Sequence, residues 1–205
     1  MPVFGLTGNL ATGKTTVLGL LKKKGAVVFD VDSRIHRYYR DKNSVVYKKT
    51  HALFPGTISR GVISRKKLGK IVFSDIKKLC QLEEIIHPVI IKELKEWINN
   101  KRDKKGIYIA EAALLFEKKL QNYFDAVILV CTQRGILINR IMKNLHLSRI
   151  MAQRRLELFM ALEEKAKKAD FVINNDSDIK HLKKGVELLW SKLKASCYQE
   201  NYLRQ

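Results

Sequence analysis

Cysteine is scarce in this chain: only Cys80, Cys131 and Cys197 occur among 205 residues. They lie far apart and follow no metal-ligand spacing, which excludes a zinc-finger or ribbon module. An odd, scattered set argues against a disulfide framework and suits a reducing compartment. Cys80 and Cys131 read as core residues and Cys197 as a tail residue. Three prolines and eleven glycines leave no Pro/Gly/Ser-rich linker, and there is no internal repeat or low-complexity tract. No apolar run approaches the roughly 20 residues that span a bilayer, so no membrane partner is expected. A signal peptide is also missing, because Pro2-Val3-Phe4 leads at once into what reads as a core strand. The expected location is the cytoplasm, and the expected state a monomer. Acids are few as well: 20 against 40 Lys and Arg, a formal net charge of +20. Such a surface attracts polyanions, either nucleic acid or a nucleotide and a phosphorylated substrate. Yet clusters such as Lys22-Lys23-Lys24 and Lys183-Lys184 are spread along the chain, mostly on helical segments. A solvated lysine-rich surface explains them equally well, and charge alone decides nothing.

The chain does have enough apolar residues, 46%, to bury a full core. Short apolar runs at Val3–Thr7, Ala26–Phe29, Ile107–Ala110, Ala126–Val130 and Phe171–Ile173 read as buried parallel strands. Helical patterns lie between them. Ile138, Ile141, Met142 and Leu145 share one helical face, as do Leu182, Val186, Leu189 and Leu193. This alternation predicts an α/β fold with a parallel five-stranded sheet and helices on both faces. A single domain over 1–205 is expected, with a helical insertion at about 33–105 that contains no convincing strand. Turns at Phe54-Pro55-Gly56 and Arg60-Gly61 break the insertion, and Pro88 predicts a helix boundary at His87-Pro88. The segment Ile141–Arg155 is basic and has little core patterning at its middle, which suits a mobile lid over about 141–160.

Gly8-Asn9-Leu10-Ala11-Thr12-Gly13-Lys14-Thr15 matches G-x-x-x-x-G-K-[ST] in full. It follows an apolar strand and opens a helix whose apolar face includes Val17, Leu18 and Leu21, the context a phosphate-binding loop requires. Loop N–H groups, backed by the helix dipole, surround a β-phosphate. Lys14 reaches the β- and γ-phosphates, the Thr15 hydroxyl binds Mg²⁺, and Thr16 completes the set. Gly8 and Gly13 let the chain turn without a Cβ in the way. ATP and Mg²⁺ are therefore expected.

Among P-loop proteins, GTPases need a guanine-reading Asn-Lys-x-Asp, which does not occur here. Large ATPases and helicases need a longer chain. The class left is the small-molecule kinases, in which an acceptor hydroxyl is activated beside the γ-phosphate. Asp30 and Asp32 follow the second strand, where ligands of open α/β sheets bind. One could accept the hydroxyl proton and the other hold a metal-bound water; helix capping is the alternative for either.

Several further segments carry a specific resemblance. These are Gly5-Leu6-Thr7-Gly8, Asp30-x-Asp32-x-x-x-His36, Gly61-x-Ile63-x-Arg65-x-x-Leu68 and Val72-Phe73. Then come Leu82-Glu83-x-Ile85-Ile86-His87-Pro88, Leu114-Leu115-Phe116-Glu117 and Ala169-Asp170-x-Val172-Ile173-x-Asn175. In this order, from Gly5 to about Val186, the chain resembles the dephospho-CoA kinase family. The resemblance implies a P-loop kinase fold with an acceptor-binding insertion and a small lid. It also implies transfer of the ATP γ-phosphoryl group to the ribose 3′-hydroxyl of dephospho-CoA, giving coenzyme A and ADP. Asp32 takes the position of the general base and, with His36, Arg65 and His87, belongs to the acceptor region. For His36, burial against the insertion is an equal alternative; for His87 the alternative is capping a helix at Pro88, and for Arg65 pairing with a local acid.

The chain departs from the family pattern in places. Asn9, Ala11 and Thr12 replace the usual glycine-serine character of the loop. The family's Asp-x-Pro-Leu-Leu becomes Glu111-Ala112-Ala113-Leu114-Leu115, which keeps a carboxylate for the substrate and its Mg²⁺-bound water. In the lid Arg140 remains but Asn144 stands where a second arginine is usual. Arg154 and Arg155 remain, and Phe159 occupies a position often held by Gln. Arg140 as a catalytic group and Arg155 as a nucleotide contact are expected to neutralise transition-state charge. Two other functions stay open: a P-loop kinase for a nucleoside or nucleoside monophosphate, and a basic nucleic-acid-binding NTPase. The second lacks a basic-aromatic stripe, so nucleic acid is not expected as a partner.

Overall fold

A computed structural model describes residues 2–101 and 104–202, with side chains described as far as Ser196. Cys197, expected in the tail, lies outside the described side chains. The chain divides into two compact units: residues 1–29 with 98–205, and residues 30–97.

In chain order, the first unit begins with β1 (Val3–Thr7), α1 (Lys14–Lys23) and β2 (Val27–Asp30). The second follows with α2 (Val31–Tyr38), α3 (Val45–Leu53), β3 (Ile58–Ser59), β4 (Val62–Ile63), α4 (Arg65–Val72) and α5 (Ile76–Asn99). The chain then returns through β5 (Tyr108–Glu111), β6 (Ala126–Cys131), α6 (Arg134–Leu145), α7 (Arg149–Leu156), α8 (Leu162–Ala166), β7 (Phe171–Asn174) and α9 (Ile179–Tyr202).

The expected strands form a five-stranded parallel sheet in the order β2-β5-β1-β6-β7. Alternate β1 side chains face opposite ways. Phe4 and Leu6 join Val17, Leu18 and Leu21 of α1 and Leu182, Val186, Leu189 and Leu193 of α9 in one core. Burying each such side chain contributes about 1.5–3 kcal/mol. Gly5 faces the other way, and a Cβ there would lie 2.6 Å from Leu115 Cδ1 and 2.9 Å from Phe124. A glycine is therefore required for the second layer to close on the sheet. β1 and β5 are buried throughout and β6 everywhere but its two end residues, whereas β2 and β7 bury only Phe29 and Ile173 fully. An apolar run does not distinguish an edge strand from a central one.

The second unit has its own core, built on Tyr39, Val46, Tyr47, Phe54, Leu68, Leu82, Ile86 and Ile90. Two expectations for this region are corrected. First, it does contain strands: β3 and β4 form an antiparallel hairpin. Arg60 and Gly61, at φ 50° and 76°, make the left-handed turn such short hairpins use. Two paired residues on each side are too few to leave an alternation in the sequence. Second, no helix boundary falls at His87-Pro88, because α5 continues through Pro88. Its buried stripe Leu82, Ile86, Ile90 runs past the proline and outweighs a penalty of about 3 kcal/mol. Cys80, expected in the core, is exposed, and Cys131 is only partly buried.

The basic segment after β6 is better packed than its pattern suggests. Leu137, Ile138 and Ile141 of α6 and Ala152 and Leu156 of α7 form a core that also receives Leu10 and Ala11. Leu145, expected on that face, is 38% exposed, because α6 ends there and His146 turns left-handed at φ 52°.

Candidate active site

The Gly8–Thr15 loop joins β1 to α1, and its shape follows from its glycines. Gly8 and Gly13 have φ of 151° and 97°; a Cβ would lie 2.6 Å from Val130 O at Gly8 and 2.2 Å from Asn175 Nδ2 at Gly13. Ala11 is also left-handed, at φ 62°, a conformation that costs a non-glycine residue about 1–2 kcal/mol. The Asn9 carbonyl organises the loop, accepting from Thr12 N (3.3 Å), Thr12 Oγ1 (3.0 Å) and Lys14 Nζ (3.1 Å). On the far side, Thr12 O accepts from Asn175 Nδ2 at 2.8 Å and Thr132 Oγ1 at 3.3 Å. The first turn of α1 has neither a side-chain cap nor an acid, so its leading N–H groups and the helix dipole are left to an anion.

Lys14 also lies 3.8 Å from Glu111. Glu111 is buried and pairs in register with Leu6 at the carboxyl end of β5. Thr15 and Thr16 are exposed on the first turn. The described residues contain no group of three or more His, Cys, Asp or Glu able to hold a metal. Arg140, on α6, donates to Asn175 O at 2.9 Å and Thr132 Oγ1 at 3.4 Å. A guanidinium has five N–H donors, so these bonds orient it while leaving others for a ligand. Arg155, in the last turn of α7, is partly buried, and burial lowers its pKa from the ordinary value.

Asp32, His36, Arg65 and His87 belong to the second unit. Asp30 is the N-cap of α2: its carboxylate accepts from Ser33 N and Ser33 Oγ, both at 2.9 Å. Asp32 sits in the first turn of the same helix, exposed, with no hydrogen bond or ion pair among the described residues. The two carboxylates are thus already divided, one fixed as a cap and one open. Arg65 begins α4 and is exposed, whereas His36 is partly buried in the last turn of α2. His87 lies within α5 rather than at a cap, 3.8 Å from Glu83 one turn earlier. Burial raises the pKa of the Tyr39 hydroxyl, with Arg65 opposing the shift and Asp32 adding to it. Asp32 and Arg65 therefore lie within electrostatic reach of one buried phenol.

Sequence reasoning missed three groups. Asn175, noted only within a motif, bridges the loop to β7 through Thr12. Glu117 and Lys165 form an ion pair at 2.8 Å with Lys165 fully buried. In a chain with 40 Lys and Arg, nothing in the residue type marked this lysine as buried. The Phe159 ring, 5.8 Å from its ammonium, stands where Gln is frequent in the resembling family.

A parallel sheet in this order, with a strained glycine loop, an inward lysine and an uncapped helix, defines a P-loop kinase. Comparison with known proteins narrows the class. The dephospho-CoA kinase family profile matches residues 2–181, and the chain belongs to that family. It is 37% identical to dephospho-CoA kinase from Aquifex aeolicus over 195 residues, covering 94% of this chain and 98% of the relative. It is 35% identical to that from Bartonella quintana over 182 residues, 88% and 92% of the two chains. Among solved structures, the Thermus thermophilus protein TT1252 superposes with a TM-score of 0.72 at 30% identity, covering 94% of this chain and 97% of that one. A shikimate kinase from Bacteroides thetaiotaomicron shares the fold alone, with a TM-score of 0.55 at 16% identity over 94% and 98%.

Proposed function

We propose that this protein phosphorylates the ribose 3′-hydroxyl of dephospho-CoA with ATP, giving coenzyme A and ADP, the last step of coenzyme A formation. The observation that carries the reading is family membership across residues 2–181 together with a loop whose lysine and helix N-terminus are already arranged for a triphosphate. The N–H groups of Gly8–Thr16 cradle the phosphates, and Lys14, aimed by the Asn9 carbonyl, has further N–H donors for the β- and γ-phosphate oxygens. Arg140 and Arg155 neutralise charge on the transferring group. Thr15 directly, and Glu111 through water, would hold Mg²⁺, which would supply further charge neutralisation.

Asp32 is the general base: its exposed, unengaged carboxylate accepts the acceptor's hydroxyl proton. Arg65, His36 and His87 contribute to holding the acceptor, with Arg65 suited to an anionic group. The chain works in the cytoplasm, a reading supported by its cysteines, of which Cys80 and Cys131 are free thiols. No helix among the described residues is long and apolar enough to cross a membrane.

An ADP-release assay with purified protein tests the acceptor, offering dephospho-CoA beside AMP, CMP and adenosine. Dephospho-CoA should give the dominant rate. ADP release no greater than buffer with dephospho-CoA overturns the assignment, and a higher rate with AMP, CMP or adenosine moves it to a nucleoside or nucleotide kinase.

A further inference from the structure

Lys165 is fully buried, yet a buried ion pair is poor evidence of stabilisation, since apolar replacements are often neutral or better. The surroundings of Lys165 suggest a different reason for its presence. Its ammonium donates to Ala113 O at 3.1 Å and pairs with Glu117 Oε1 at 2.8 Å. Ala113 O also accepts from Thr7 Oγ1 at 3.2 Å, which ties the site of this cation to the end of β1. Glu117 Oε1 accepts from Met160 N at 3.0 Å. The carbonyl of the same Met160 accepts from Asn9 Nδ2 at 3.1 Å. Met160 is thus pinned on both sides, by Glu117 through its N–H and by the first variable residue of the phosphate loop through its C=O. Asn9 is 5% exposed, and its backbone carbonyl is the acceptor that holds Lys14 Nζ and Thr12.

We propose that Lys165 and Glu117 are positioning residues for ATP binding, acting through Met160 and the Asn9 side chain to fix the loop carbonyl that aims Lys14. This rests on the reading of the loop as an ATP site. Asn9 is the specific part of the device, because its amide alone reaches from the loop to Met160; a glycine there would have nothing to donate. Glu117 cannot hold Met160 while its charge is uncompensated in the interior, and Lys165 supplies the compensation. The ion pair therefore serves loop geometry. Removing the lysine deprives Glu117 of its counter-charge, so the carboxylate turns outward and Met160 and then Asn9 lose their register.

The test is a double-mutant cycle read by calorimetric binding of a non-hydrolysable ATP analogue with Mg²⁺, together with kcat and both KM values. Lys165→Met should weaken analogue binding by about 10-fold, at the low end of what outer-shell partners cost. The KM for ATP should rise while the KM for dephospho-CoA stays unchanged. Asn9→Ala should do the same, and Lys165→Met in the Asn9→Ala background should add little, because the two changes break one path. Factors that multiply in the double variant overturn the linkage. So does a lower Tm for Lys165→Met with unchanged analogue affinity, the result expected of a merely structural pair. If circular dichroism shows Lys165→Met unfolded, Lys165→Arg, which keeps the charge but alters the reach to Glu117, takes its place in the cycle with the same criteria. Failure of the wild-type protein to bind the analogue overturns the ATP-site reading itself and the positioning role with it.

Discussion

In the first unit Lys14, Thr12 and Arg140 are each held by hydrogen bonds that orient them before any ligand arrives. In the second, Asp32 and Arg65 are exposed, whereas the carboxylate of Asp30, two residues before Asp32, is held as a helix cap. A triphosphate is the same in every P-loop protein, so a rigid, preorganised cradle lowers the cost of binding it. An acceptor has to be admitted, oriented and released, and groups that engage only with the substrate suit that task. The difference separates a part whose geometry is built into the fold from a part whose chemistry depends on what binds.

The largest expected effect comes from breaking the preorganised side. Lys14→Ala should reduce phosphoryl transfer to background, because it removes the ammonium that the Asn9 carbonyl holds within the loop, 3.8 Å from Glu111. The fold should survive, since the truncation leaves the apolar residues that join β1 and α1 in place. Steady-state assay with circular dichroism checks both. Substantial residual turnover would mean that the loop N–H groups, not the ammonium, dominate phosphate binding.

On the open side, Asp32→Asn should depress kcat by about two to four powers of ten, the usual contribution of a general base. Thermal stability should change little, because Asp32 is exposed and makes no bond that folding depends on. Asp30→Asn is the informative control. Its amide oxygen can still accept from Ser33 N, so turnover should stay within a few-fold of wild type while the cap persists. Similar losses in both variants, read as kcat, would erase the division between cap and base.

The same contrast explains what the sequence made legible. The strands, α1 and the phosphate loop were readable because each leaves a local signature: an apolar run, a helical stripe, or glycines at fixed offsets. The hairpin β3–β4 and the uninterrupted α5 were not, since two-residue strands have no period and tertiary burial of Leu82, Ile86 and Ile90 overrode the proline rule. Asp32 was singled out by its place after the second strand, whereas His36, Arg65 and His87 were proposed through family resemblance alone, because an exposed arginine or a helical histidine looks like any other surface group. Lys165 was illegible for the opposite reason. Its signal is burial, and burial of a lysine between Glu117 and Ala113 arises only when distant segments meet.

The smallest effect tests the contrast without touching a proposed site residue. Cys131 ends β6 in the first unit, and burial, aided by the negative charges of Asp176 and Glu163, pushes its thiol pKa up to about 11. Raising a thiol pKa favours the neutral form, so the nucleophilic thiolate is suppressed at every pH below that value. Cys80 stands exposed on α5 in the second unit. At pH 8, iodoacetamide should therefore label Cys80 first, and Cys131 should lag a free cysteine by roughly 10²-fold from its thiolate fraction alone. Peptide mapping by mass spectrometry separates both from Cys197. As pH rises towards 11 the lag should shrink, and in urea it should vanish, because burial and the neighbouring carboxylates are lost together. Equal labelling of Cys80 and Cys131 at pH 8 in the native protein would mean that the end of β6 opens to solvent far more often than its packing implies. The first unit would then be no more rigid than the second.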